Sequence, residues 1–150
     1  MAIYGSIAEA DTYFLTKRLD FDDLWAEEND TNKAAALEMA TAAIENMNFT
    51  GSRNDAAQAL EFPRGTDLVV PDEIKNACYE CARAFLDGID PEMEGELETS
   101  VSATIGPVRE RKVSNRIAMY RKHGIPSIVA WRLLFPFLRD GQAINFSRTP

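Results

Sequence analysis

Histidine occurs once in this 150-residue chain, at His123, and cysteine only twice, at Cys78 and Cys81. A structural zinc site needs four ligands, and one imidazole with two thiols falls short of the usual sets. The Cys-x-x-Cys spacing also suits a redox pair, but such pairs draw their low thiol pKa from a helix N-terminus. These two lie well inside the helical pattern that starts near Pro71, so the reading favoured is two free thiols buried in a reducing compartment. No glycine-rich phosphate loop is present, Gly106 being isolated, and His123 has no Ser or Cys directly beside it. His123 therefore reads as a surface residue rather than a general base, and the chain as no enzyme. The opening Met-Ala-Ile-Tyr-Gly-Ser has neither a basic nor an apolar leader segment, which predicts a cytoplasmic product. The longest apolar stretch, Ile125 to Leu138, is broken by Arg132 and two prolines and is too short to span a bilayer. No membrane partner and no cofactor are expected.

Bases are scarce over most of the length. Residues 1–98 carry 22 acidic and 7 basic side chains, whereas residues 99–150 carry 2 acidic and 9 basic ones. The overall charge of −8 is thus a balance of −15 and +7. So steep a polarity implies a complementary partner: nucleic acid, an acidic protein surface, or the acidic part of a second copy. Paired carboxylates are too abundant in the first part to single out an acid–base couple.

The hydrophobic spacing is helical over most of the chain, and 45% hydrophobic content suffices for one core. Ser6-Ile7-Ala8-Glu9 forms a capping box ahead of a helix from Ile7 to Arg18. A short turn at Asp22 to Ala26 packs Trp25 against it. Asn29-Asp30-Thr31 caps a second helix, Asn32 to about Met47, with Ala36, Leu37, Ala40, Ile44 and Met47 in one stripe. Gly51 supplies a left-handed residue after it. A third long helix opens at Pro71, carries Ile74, Ala77, Cys78, Cys81, Ala84 and Phe85 inward, and stops at Asp87-Gly88. Val101, Ala103 and Ile105 alternate with polar residues, which predicts a short β-hairpin-like segment near 99–113. A last helix, opened by Pro126, ends near Phe135 ahead of Pro136. Its apolarity on all sides predicts burial at the bundle centre or at a subunit contact. The fold class is mainly α: a helical domain over residues 1–138 with an extended insertion at 90–124, then a tail over 139–150.

Two segments draw attention as binding surfaces. Arg109, Arg111, Lys112, Arg116, Arg121 and Lys122, with Tyr120 among them, have the composition of a nucleic-acid track or of an interface strand. In the tail, Ile144 and Phe146 alternate with Asn145 and Ser147 before Arg148, the form of a peptide that orders on a partner.

The scaffold residues follow a recognisable order. It runs Tyr4-x-Ser6-x-x-Glu9-Ala10-Asp11-x-Tyr13-Phe14, Trp25, Lys33-x-x-Ala36-Leu37-x-x-Ala40-Thr41-x-x-Ile44, then Phe49-x-Gly51-x-Arg53, Leu60-x-Phe62-Pro63-Arg64 and Val70-Pro71-x-x-Ile74-x-x-Ala77-x-x-Glu80. Over roughly the first 86 residues it resembles the head–tail connector (adaptor) proteins of tailed bacteriophages, some of which carry the label DnaT-like single-stranded-DNA-binding protein. The resemblance implies a helical protein that forms a ring, usually of twelve copies, beneath the capsid portal. Such a ring extends the channel for double-stranded DNA and receives the tail or the next neck protein. It also implies a place in the virion after assembly in the host cytoplasm. On that basis Arg109, Arg111, Lys112 and Arg116 are expected to meet a neighbouring copy or the portal, and Ile144, Phe146 and Arg148 to dock on the portal. The alternative is a single-stranded-DNA-binding or replication accessory protein.

Overall fold

The computed structural model describes residues 1–90 and 119–139. Within them five α-helices follow in order: α1 (Ile7–Thr16), α2 (Asp30–Glu45), α3 (Asp72–Leu86), α4 (Met119–Lys122) and α5 (Ile128–Leu134). A single 3-10 turn, Phe135–Phe137, follows α5, and no strand is present among the described residues. The mainly helical fold is as the spacing predicts. The hairpin-like segment near 99–113 lies outside the described residues, and the end of the 90–124 insertion holds the helical turn α4. Met-Tyr-Arg-Lys is a run without β-branching, and Gly124, at φ +77°, closes the turn behind it.

The caps are where the residue types put them. Ser6 Oγ accepts from the Glu9 amide at 3.2 Å and donates to the Glu9 carboxylate at 3.1 Å, so the box closes through the hydroxyl. Asn29 accepts from the Asn32 amide at 2.9 Å and Ser127 from the Ala130 amide at 3.3 Å. Helix α1 ends two residues earlier than its spacing predicts, because the Lys17 and Arg18 amides both close on the Tyr13 carbonyl, at 2.9 and 3.0 Å. Pro71 stands at the N-cap of α3, one place before the first helical residue.

Helix α3 is the hub, packed against α1, α2 and α5. Residues 77–82 are buried without a break, which a one-sided amphipathic helix never achieves. The composition explains it. Ala77, Cys78, Cys81, Ala82 and Ala84 are small, so neighbouring helices approach α3 from several sides. Of the two settings expected for α5, a bundle centre or a subunit contact, the first belongs instead to α3. Only Ala130 and Leu134 of α5 are buried, while Ile128 stays 46% and Phe135 38% exposed.

The one buried charge on the hub, Glu80 at 3% exposure, accepts from Arg18 Nε and from Tyr13 Oη, both at 2.9 Å. These two donors satisfy a carboxylate that burial would otherwise penalise by several kcal/mol, on the order of the cost of any unpaired buried ion. Trp25 packs on Phe14 with ring centroids 5.3 Å apart, as expected, and donates Nε1–H to Asp11 Oδ1 at 2.7 Å. Lys33, 6% exposed, reaches the same oxygen at 3.0 Å and lies over the Trp25 ring.

Between α2 and α3 the chain folds back on itself around a cis Phe62–Pro63 bond. Arg64 Nε donates to the Thr50 carbonyl at 3.0 Å, and its guanidinium also holds the Gly51 carbonyl at 2.6 Å. The 48–50 segment is clasped in turn by Phe137 and Arg139. The Thr50 amide donates to the Phe137 carbonyl at 2.8 Å and the Arg139 amide to the Asn48 carbonyl at 2.9 Å.

Candidate functional site

Charge in the body of the domain is already committed. Of the seven bases between residues 1 and 90, six stand in ion pairs: Arg18 with Glu80, Lys33 with Asp11, Arg53 and Arg64 with Glu61, Lys75 with Glu9, and Arg83 with Asp20. Lys17 is the exception. The same stretch holds 18 acids, so its surface is one of unneutralised carboxylates such as Asp23, Glu27, Asp30, Glu38 and Glu73. Such a surface repels a phosphate backbone.

Residues 119–139 are the opposite: four bases and no acid. Arg121, Lys122, Arg132 and Arg139 are all exposed, and none is in an ion pair among the described residues. The first three accompany aromatic rings. His123 stacks on Trp131 at a centroid distance of 5.5 Å with planes 10° apart, and Trp131 meets Phe135 edge-on at 6.3 Å. Helical spacing puts Ile128, Trp131, Arg132 and Phe135 on one outward stripe of α5. The arrangement offers π-faces and cations side by side, able to take stacked bases with their phosphates or an acidic, apolar protein surface.

A third feature is a recess of about 360 Å³ between α1 and α3, bordered by Glu9, Thr12, Tyr13, Lys17, Asp72 and Lys75 among others. Lys75 is tied to Glu9 at 3.0 Å, which holds the Glu9 carboxyl below its usual range. Tyr79 borders it, and its buried hydroxyl makes no hydrogen bond of good geometry. Burial raises the Tyr79 phenol far above its usual pKa, with the Ser6 backbone opposing only in part. Among the described residues there is no group of three potential metal ligands, and no helix is long and apolar enough to cross a membrane.

A family model described as "Putative DnaT-like ssDNA binding protein" matches residues 3–146, almost the whole chain. The chain belongs to this family. No curated protein and no solved structure matches it. Within the family's frame, the scaffold residues quoted from the sequence turn out to be the ones that meet in space. Tyr4, Asp11, Tyr13, Trp25, Lys33, Thr41, Phe62 and Glu80 take part in buried or half-buried polar contacts, and Arg53 and Arg64 in exposed ones around Glu61 and Gly51.

The residues singled out beforehand as partner contacts, Arg109, Arg111, Lys112, Arg116, Ile144, Phe146 and Arg148, all lie outside the described residues. Of the wider basic cluster, Arg121 and Lys122 are described and exposed. His123 is on the surface, as expected, but as half of a stack. Cys78 and Cys81 are free and buried, also as expected. Sequence reading missed Trp131, Arg132 and Phe135 because α5 looks apolar on every side. Arg132 inside that apolar run was the available sign of an outer face.

Proposed function

We propose that the chain is a structural, non-catalytic adaptor of the tailed-phage neck. In this reading copies form a ring, of twelve members by resemblance, between the portal and the tail or next neck protein. Double-stranded DNA passes through the ring without being held. The observation that carries the reading is the commitment of six of the seven bases in the acidic body to internal ion pairs. A bore lined by that body would repel passing DNA and keep it from sticking. Arg109, Arg111, Lys112 and Arg116 then serve contacts to a neighbouring copy or the portal, and Ile144, Phe146 and Arg148 the docking tail. The place of action is the virion, after assembly in the host cytoplasm.

Single-stranded-DNA binding is the second reading, favoured by the family's description and by the His123–Trp131 stack beside Arg121, Lys122 and Arg132, none of them ion-paired among the described residues. Two assays on the full chain separate them. An adaptor co-sediments with portal rings and leaves a labelled oligonucleotide free at physiological salt. A DNA binder that sets those three cations on phosphates shows a log–log salt slope of about −2, and ignores the portal.

A further inference from the structure

Two exposed patches of opposite sign find no partner among the described residues. The first is the outer stripe of α5 with the end of α4: the exposed Ile128, Arg132 and Phe135 around a half-buried Trp131, with the exposed Arg121 and Lys122. The second is the segment Leu19–Asp30, which begins just after Lys17 and Arg18 and itself holds no base; there Leu19 and Phe21 (76% exposed) stand among Asp22, Asp23, Glu27 and Asp30. Large apolar side chains exposed this far are ordinary when scattered; here each group sits inside a zone of one charge sign. No ion pair joins the two zones. Among the described residues the acidic segment is ion-paired from Arg83 of α3 alone, to Asp20 at 2.7 Å and to Asp22 at 3.7 Å, while Lys33 lies over the Trp25 ring and Arg18 donates to the Leu19 carbonyl. Among the described residues neither patch therefore covers the other.

We infer that the basic, aromatic stripe of α5 in one copy seats on the acidic Leu19–Asp30 segment of the next. The inference rests on the ring reading above and names the surfaces that build it. The pairing is heterologous: each copy offers one patch forward and the other back, and such contacts generate closed rings when the rotation closes. Phe21 and Leu19 supply the apolar anchor to Ile128 and Phe135, while Arg121, Lys122 and Arg132 supply the match to carboxylates. Charge complementarity of this kind fixes register and partner more than it adds affinity. It also weakens as salt screens the rim. A phosphate backbone is the competing occupant of the α5 stripe, but it offers nothing to the acidic, apolar patch. A second copy covers both at once, and on that ground we choose it.

The test is sedimentation velocity on the full chain and on two charge reversals, Arg121→Glu with Arg132→Glu, and Asp22→Lys with Glu27→Lys. All four positions are exposed, and circular dichroism melts check that each variant is folded. The wild type is expected to self-associate at low salt, and each reversal to raise the apparent dissociation constant about tenfold or more. Mixing the two reversed chains is expected to restore assembly, because glutamates on one then face lysines on the other. Assembly that persists unchanged in both variants overturns this interface and leaves the ring reading standing. A wild type that stays monomeric at high concentration and low salt overturns both. Unchanged assembly combined with loss of oligonucleotide binding in the Arg121 and Arg132 variant overturns the inference in favour of single-stranded DNA.

Discussion

Tyr4 and Phe62, 58 residues apart, are joined by a hydrogen bond from the Phe62 amide to the Tyr4 hydroxyl at 3.2 Å. The same hydroxyl donates to the Glu45 carboxylate, which also accepts from the Glu61 amide at 3.0 Å. One phenol thus ties the N-terminal segment, the end of α2 and the loop around Pro63. Replacing Tyr4 with Phe keeps the ring and its edge-on contact to Phe62 but strands a buried amide. The expected loss is about 1–3 kcal/mol of unfolding free energy, read by urea denaturation, with an unchanged helical spectrum.

Gly5 is held by two constraints at once. Its φ is +83°, and a Cβ there would stand 2.8 Å from ring carbons of Tyr79 and nearer still to the phenol oxygen. Gly5→Ala should cost more than backbone strain alone, about 2–4 kcal/mol. Gly65, also at positive φ but facing open space, is the control. Its Ala variant should lose the smaller amount, on the order of 1 kcal/mol. Equal losses at the two sites would show that the Tyr79 contact contributes nothing.

Stability should depend on acid through Glu61. The hydrogen bond from Arg53, with the nearby Arg64 charge, holds its carboxyl below the ordinary value of 4.5, against a smaller upward push from burial. A depressed folded-state pKa stabilises the fold at pH above the unfolded value. That contribution is lost as pH falls below about 4.5 and through the lower folded value. Glu61→Gln should therefore destabilise the protein at pH 7 and flatten the fall in melting temperature between pH 5 and pH 3, on the order of that titration range.

The thiols should be silent until the domain opens. Burial pushes the Cys78 thiol up to about 12, with a partial offset from Thr41, and raises Cys81 well above its usual value. Both lie on the hub helix. Reaction with a thiol reagent at pH 8 is expected to follow the unfolding equilibrium, rising with denaturant in step with loss of helicity. Fast labelling of the native protein would contradict that packing.

Deleting residues 141–150 bears on the docking role proposed for Ile144, Phe146 and Arg148. The melting temperature should change little, because the described contacts of the core end at Arg139, while attachment to portal rings is lost. A truncated chain that binds portal rings as tightly as the full one removes the tail from the account.

Much of the fold was legible in the sequence because its signals were local. The caps Ser6, Asn29 and the stop at Gly88 act within a few residues and fell where residue type put them. What escaped was non-local. No periodicity reports that Arg64 will gather the carbonyls of Thr50 and Gly51, or that Phe137 and Arg139 will clasp the 48–50 segment. That α3 rather than α5 holds the bundle centre was hidden for a related reason. Hydrophobicity marks α5 as the most apolar helix, but close approach depends on side-chain size, and the alanines and cysteines of α3 allow more neighbours than Trp131 or Phe135 does. The site was half legible: the charge partition is plain in the composition, whereas the ion pairs that retire the acidic body's bases, and the His123–Trp131 stack, exist only in three dimensions.

The central claim is that copies of this chain close into a ring on a portal. Electron microscopy of the full-length protein, incubated with the portal of the same virus at physiological salt, tests it most directly. The account predicts closed rings seated coaxially on the portal, with acidic side chains of residues 1–98 lining the bore. Portal rings left bare beside monomeric protein, or a seated ring with a bore lined mainly by Arg and Lys, would contradict it.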